Sequence, residues 1–117
     1  MNNVATGKQG EKLAGEFIKK LGYQILEKNY KNKIGEIDII AKDGDCVVFI
    51  EVKTRLNDTF GMPVEAVNFR KIHKIKNTAL IYMKTLDNPA AVRFDVISVM
   101  IGAKQYQIEH IKGAFEG

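Results

Sequence analysis

The chain has 117 residues, with 18 Lys and Arg against 14 Asp and Glu and a net charge of +4. That length suits one domain over residues 1–117 with a true core, and the ordinary apolar and charged fractions exclude a disordered or fibrous chain. The basic excess favours an anionic partner without requiring one. A polar start argues against a secretory leader, and no apolar run approaches the roughly 20 residues of a membrane span. The single cysteine, Cys46, has no internal disulfide partner and reads as a small buried hydrophobe. A reducing cytoplasm is the expected location.

Taken in order, the chain opens with a polar arm and then a helix. Thr6 with Gln9 three residues on is a capping-box signature, and Gly22 stands where the helix should end. Leu13, Ala14, Phe17, Ile18 and Leu21 form one stripe at helical spacing, with Gly7 and Gly10 on or beside it. Glu11 lies at the stripe's edge, while Glu16 points away to solvent. Glu11 is read either as an acid leaning toward a sheet or as favourable charge in the first turns of a helix. Tyr23 to Tyr30 is a first strand with Tyr23, Ile25 and Glu27 on one side, and Asn29 to Lys33 is a basic turn.

The centre of the chain is Gly35-Glu36-Ile37-Asp38-Ile39-Ile40, a tight turn at Asp43-Gly44-Asp45, and Val48-Phe49-Ile50-Glu51-Val52-Lys53. Side chains alternate along a strand, so Val48, Ile50 and Val52 share one face and Phe49, Glu51 and Lys53 the other. By the same rule Glu36 and Asp38 stand opposite Ile37 and Ile39. Antiparallel pairing through the turn lets Asp38, Glu51 and Lys53 converge. Burying two carboxylates and an ammonium among Ile, Val and Phe is costly unless they pair, hold a metal or open onto a cleft. The cluster suits phosphodiester hydrolysis with Mg²⁺ or Mn²⁺: two hard oxygen ligands, and a lysine to orient water or steady developing charge. The plainer alternative is a structural Glu51–Lys53 pair on a solvated sheet end.

Downstream, Thr54 to Met62 reads as a polar loop, with Arg55 continuing the alternation of Glu51 and Lys53. Pro63 fits the first position of a helix running to about Lys84. Its stripe is Phe69, Ile72, Ile75, Ala79 and Met83, and Lys76 lies close to that stripe. Arg70, Lys71 and Lys74 cluster on the remaining surface, either a phosphate-binding flank or a solvated face. His73 has no second ligand at metal spacing. Asp87-Asn88-Pro89 is a turn. Val92 to Met100 is a central strand on which Arg93 and Asp95 make a structural pair, and Tyr106 to Ile111 a last strand. Ala114-Phe115 then folds back on the body, and His110 is isolated, without a role.

The order Asp38, then Glu51-Val52-Lys53 on the adjacent strand, resembles the PD-(D/E)xK nuclease superfamily. Ile37 stands where the superfamily has its proline, which supplies no ligand. Gly35-Glu36-Ile37-Asp38 through Phe49-Ile50-Glu51-Val52-Lys53-Thr54-Arg55, the Gly7-x-x-Gly10-Glu11 helix start, Pro63 to Ala66 and Arg93-Phe94-Asp95-Val96 are similar to the YraN-type family, related to archaeal Holliday junction resolvases. The resemblance implies an α/β, restriction-endonuclease-like mixed β-sheet of about five strands flanked by helices, which the order helix, three strands, helix, two strands also predicts. It implies a metal-dependent endonuclease acting on DNA, with branched or junction forms as a suggested class. Asp38 and Glu51 would be metal ligands, Lys53 would handle the water, and Glu11 would complete the site. Arg55, Arg70, Lys71 and Lys74 are the expected nucleic-acid contacts. Resolvase-like relatives work as dimers, so a homodimer is an expectation. The alternative is a nucleic-acid-binding module that keeps the nuclease fold without turnover.

Overall fold

Four consecutive apolar residues, Val47, Val48, Phe49 and Ile50, are all buried, which requires a strand covered on both faces. They belong to β3 (Cys46–Leu56), third in a five-stranded sheet ordered β1-β2-β3-β4-β5. Its companions are β1 (Gln24–Lys31), β2 (Glu36–Asp43), β4 (Ala91–Ile101) and β5 (Tyr106–Phe115), with helices α1 (Asn3–Lys20) and α2 (Phe69–Met83). All pairings are antiparallel except β3 with β4, which is parallel along its whole length. The computed structural model describes residues 3–56, 69–86 and 91–115. The expected helix start at Pro63 and the turn at Asp87-Asn88-Pro89 lie outside the described residues.

Each helix covers one face of the sheet. Ala14 and Ile18 of α1 pack on Ile39, Ala41, Val48, Ile50, Ile97 and Val99. Ile75, Ala79 and Tyr82 of α2 pack on Ile37, Ile40, Val47, Phe49 and Phe94. Each fully buried Ile, Val or Phe side chain contributes about 1.5–3 kcal/mol through removal from water, so β3 is the best-anchored strand. The result is the α/β mixed sheet flanked by two helices that the sequence predicts, consistent with a restriction-endonuclease-like fold. Among the described residues no helix is long and apolar enough to cross a membrane.

Local chemistry fixes the element ends. Helix α1 stops at Gly22, whose φ of 95° only glycine adopts cheaply. There Tyr23 N–H donates to the Ile18 carbonyl and Gly22 N–H to that of Lys19, both at 3.0 Å, a Schellman motif sealed by burial of Ile18 and Tyr23. Its start differs from expectation: Thr6 lies inside the helix, because no Pro or Gly separates it from Asn3. Strand β3 runs on to Leu56 where a loop from Thr54 was predicted, because β4 pairs with it as far as Leu56↔Ile101. Likewise β5 continues past Ile111 to Phe115, which stacks on Phe94 at 5.1 Å.

Arg93 and Asp95 form the expected pair, within a larger network. Arg93 donates to both Asp95 oxygens (2.8 and 3.0 Å), to Asp43 (3.1 Å) and to the Tyr23 hydroxyl (2.7 Å). Asp95, fully buried, also receives the Gly113 N–H at 3.0 Å and sits 2.8 Å from His110 Nε2. His110, expected to be isolated, therefore helps hold β5 to β4. Burial opposes the Asp95 carboxylate, but the Arg93, Gly113 and His110 hydrogen bonds prevail and lower its pKa. Cys46 is half-buried at the edge of this region, and burial pushes its thiol up.

Candidate functional site

Strands β2 and β3 pair from the hairpin as far as Ile39↔Ile50 and then part. At that point the Val52 N–H donates to Asp38 Oδ2 at 2.8 Å, so a side-chain carboxylate replaces a main-chain acceptor. The side-chain alternation also breaks here. Ile37 faces α2 and Ile39 faces α1, so they do not share a face as the sequence pattern implied. The edge strand bends with it: the register of β1 shifts between Ile25 and Glu27, and Asn29 has φ 52°. Glu27 consequently acts on Tyr82 of the α2 side rather than joining Tyr23 and Ile25.

These irregularities bring Asp38 among three charged groups from three elements. Burial, then the negative charge of Glu51, raises its carboxyl pKa from 3.8 to about 7. Glu11 of α1 raises it further, while the Val52 hydrogen bond and the Lys71 ammonium pull the other way. Glu11 is thus the acid that leans toward the sheet; it lines a cleft of about 210 Å³ with Asp38, Lys8, Lys12, Lys28 and Asn29. Glu16 is exposed, as expected.

The other side of the site belongs to α2. Glu51 projects on the Phe49 face, as alternation predicts, and Lys71 Nζ lies 3.0 Å from its Oε1. Sequence reading placed Lys71 with Arg70 and Lys74 on the outer flank of α2. The structure separates them: Lys71 reaches inward to the acid, while Arg70 and Lys74 are exposed. All three still line one cleft of about 580 Å³, together with Lys31, Glu36 and Gly35. Lys53 stands beside Lys71. Arg55 is half-buried on β3 rather than on a loop. The helix is held in place from β1's end, where Asn32 Nδ2 donates to the Thr78 carbonyl at 3.3 Å.

Among the described residues, no three Asp, Glu, His or Cys side chains stand close enough together to hold a metal ion. The donor set still fits Mg²⁺, a hard cation that takes one or two carboxylates and leaves its other positions to water and phosphate. Asp38 and Glu51 offer those oxygens, with Glu11 behind them, and their mutual repulsion is what a cation would relieve. Sequence reading missed the contributions of Lys8, Lys12, Lys28 and Lys31. Each looks like an ordinary surface lysine until the fold gathers Lys8, Lys12 and Lys28 into the cleft of Asp38, and Lys31 into the cleft of Lys71.

The model of the Uncharacterised protein family UPF0102 matches residues 10–99. A UPF0102 protein of Thermodesulfovibrio yellowstonii is 50% identical over 115 residues, covering 98% of this chain and 99% of that one. One from Clostridium botulinum strain 657 is 49% identical over 118 residues, covering 97% and 96%. One from Syntrophus aciditrophicus is 47% identical over 116 residues, covering 97% and 91%. With a match across most of the chain and relatives of nearly the same length, the chain belongs to UPF0102, the YraN family.

Proposed function

We propose that the chain is a metal-dependent endonuclease that hydrolyses phosphodiester bonds in DNA, with branched or junction DNA as a candidate substrate. The observation that carries the reading is Asp38: a half-buried carboxyl raised to about 7 by burial and by Glu51 and Glu11, lining one lysine-rich cleft and within reach of the charge of Lys71, which lines a second. Uncompensated carboxylates cost stability, and they are kept where chemistry needs them.

Asp38 and Glu51 would hold Mg²⁺ or Mn²⁺, assisted by Glu11. Such an ion supplies Lewis acidity toward the scissile phosphate. Lys53, on the face of Glu51, would orient the attacking water and steady charge on the phosphoryl oxygens. Arg70, Lys74 and Lys31 on one side, and Lys8, Lys12 and Lys28 on the other, attract and align the sugar-phosphate backbone. Arg55, two residues beyond Lys53 on the same face, extends that alignment. Paired cuts across a junction would need two such sites, and so a homodimer.

The test is cleavage of linear, nicked and branched duplexes, and of RNA, in Mg²⁺ or Mn²⁺, comparing wild type with Lys53→Ala purified identically. Loss of one electrostatic group of this kind lowers the rate by about 10²–10³, while binding should fall only modestly. A wild type that binds but cuts nothing would favour the second reading, a binding module without turnover. One observation supports that alternative: the Lys71–Glu51 ion pair already compensates one of the acids without a metal.

A further inference from the structure

Lys71 sits between two destinations. Its ammonium is 3.0 Å from Glu51 Oε1, yet its side chain remains 41% exposed, against 12% for Glu51. The hydrogen bond it donates to Glu51, together with the negative charges of Glu51 and Asp38, holds it there. The same side chain lines the larger cleft with Lys31, Arg70 and Lys74. Its long, half-exposed stem can carry the ammonium from the acid to the cleft by rotamer change alone.

We propose that Lys71 is an exchangeable counter-ion that couples cation loading to capture of substrate phosphate; this rests on the metal-dependent reading above. With neither ligand present, Lys71 neutralises Glu51. A divalent cation on Asp38 and Glu51 competes for the same oxygens and releases Lys71 toward the cleft, where it adds one positive charge facing the phosphodiester backbone. In the other direction, a phosphate in the cleft draws Lys71 off Glu51 and frees a ligand oxygen. Because both ligands act on one side chain with two positions, each must tighten the other by the same factor. The site would thus hold its metal loosely when empty and firmly when loaded with nucleic acid.

The experiment measures Ca²⁺ affinity by calorimetry on the full chain, with and without a short single-stranded DNA. Ca²⁺ replaces Mg²⁺ so that turnover does not consume the probe. In the wild type each ligand should tighten the other. Lys71→Met removes the competitor, so Ca²⁺ should bind about fivefold more tightly without DNA, the worth of a partly exposed ion pair. The mutual tightening should shrink in that variant, and Lys71→Arg should restore it in part. Lys71→Gln provides the same comparison should the methionine variant fold poorly. Unchanged Ca²⁺ affinity in the neutral variants, or no mutual tightening in the wild type, overturns the proposal and leaves the metal site standing. Absence of Ca²⁺ binding in both wild type and variants overturns the metal reading itself, and the proposal with it.

Discussion

Gly10 of α1 and Thr54 of β3 touch so closely that a β-carbon on Gly10 would overlap the threonine hydroxyl. This contact sets the separation between the helix bearing Glu11 and the strand bearing Glu51 and Lys53. Gly10→Ala should force the two apart, at about 1–3 kcal/mol for an overpacked interface, and should weaken metal binding as Glu11 moves off. Gly7→Ala is the control, since a β-carbon there meets open space and alanine favours a helix by up to about 1 kcal/mol. Urea unfolding and metal titration of both variants check the pair.

A second prediction follows from Asp38. The folded chain keeps its carboxyl protonated to about pH 7, whereas the unfolded chain releases that proton near 3.8. A raised folded value means the contribution to stability is full below about pH 4 and is lost as the pH climbs through about 7. Without metal, wild type should therefore lose stability relative to Asp38→Asn between about pH 4 and pH 7. The loss should reach a few kcal/mol, at about 1.4 kcal/mol for each pH unit separating the folded and unfolded values. Metal must displace that proton, so its affinity should rise over the same interval.

The Arg93–Asp95–His110 network behaves in the opposite sense. Its carboxylate is held below the ordinary value, so its stabilisation is present above that ordinary value and is lost as the pH falls through the lower folded one. Asp95→Asn should cost about 3–5 kcal/mol by leaving Arg93 poorly paired. It should also flatten the acid limb of the unfolding profile. Metal affinity should be unaffected, because Arg93 reaches Asp43, at the opposite end of β2 from the Asp38 region.

Nucleic-acid binding can be divided by cleft. Neutralising Lys8, Lys12 and Lys28, or separately Lys31, Arg70 and Lys74, should lower the slope of log affinity against log salt by about one for each phosphate that the protein no longer neutralises. A substrate lying across Asp38 predicts a fall for both sets. A fall confined to one set would restrict the backbone's path to that side.

Much of this was legible in the chain because it depends on local rules. The apolar run Val48-Phe49-Ile50 announces a strand, Gly22 the end of a helix, and alternation the shared face of Phe49 and Glu51. The opposite facing of Ile37 and Ile39 was missed because it depends on bends in both β1 and β2. Leu26 and Glu27 carry no distinctive turn signal, and Asn29, read as the start of a turn, lies within β1. The Lys71–Glu51 pair was hidden for a different reason. Helical periodicity tells which residues share a face, but not which strand residue a long side chain meets once helix and sheet dock.

The parallel pairing of β3 with β4 also governs when the site can exist. Glu11, Asp38, Glu51 and Lys53 are all synthesised in the first half of the chain, but β3 gains its second neighbour only when Ala91 to Ile101 has been made and α2 has crossed over. Pairings between distant segments form late, after the entropy of closing the intervening loop has been met. A nascent chain halted before β4 therefore carries every acid of the centre without the frame that aligns them. Appearance of metal binding on ribosome-stalled chains of increasing length would date the assembly of the centre during translation.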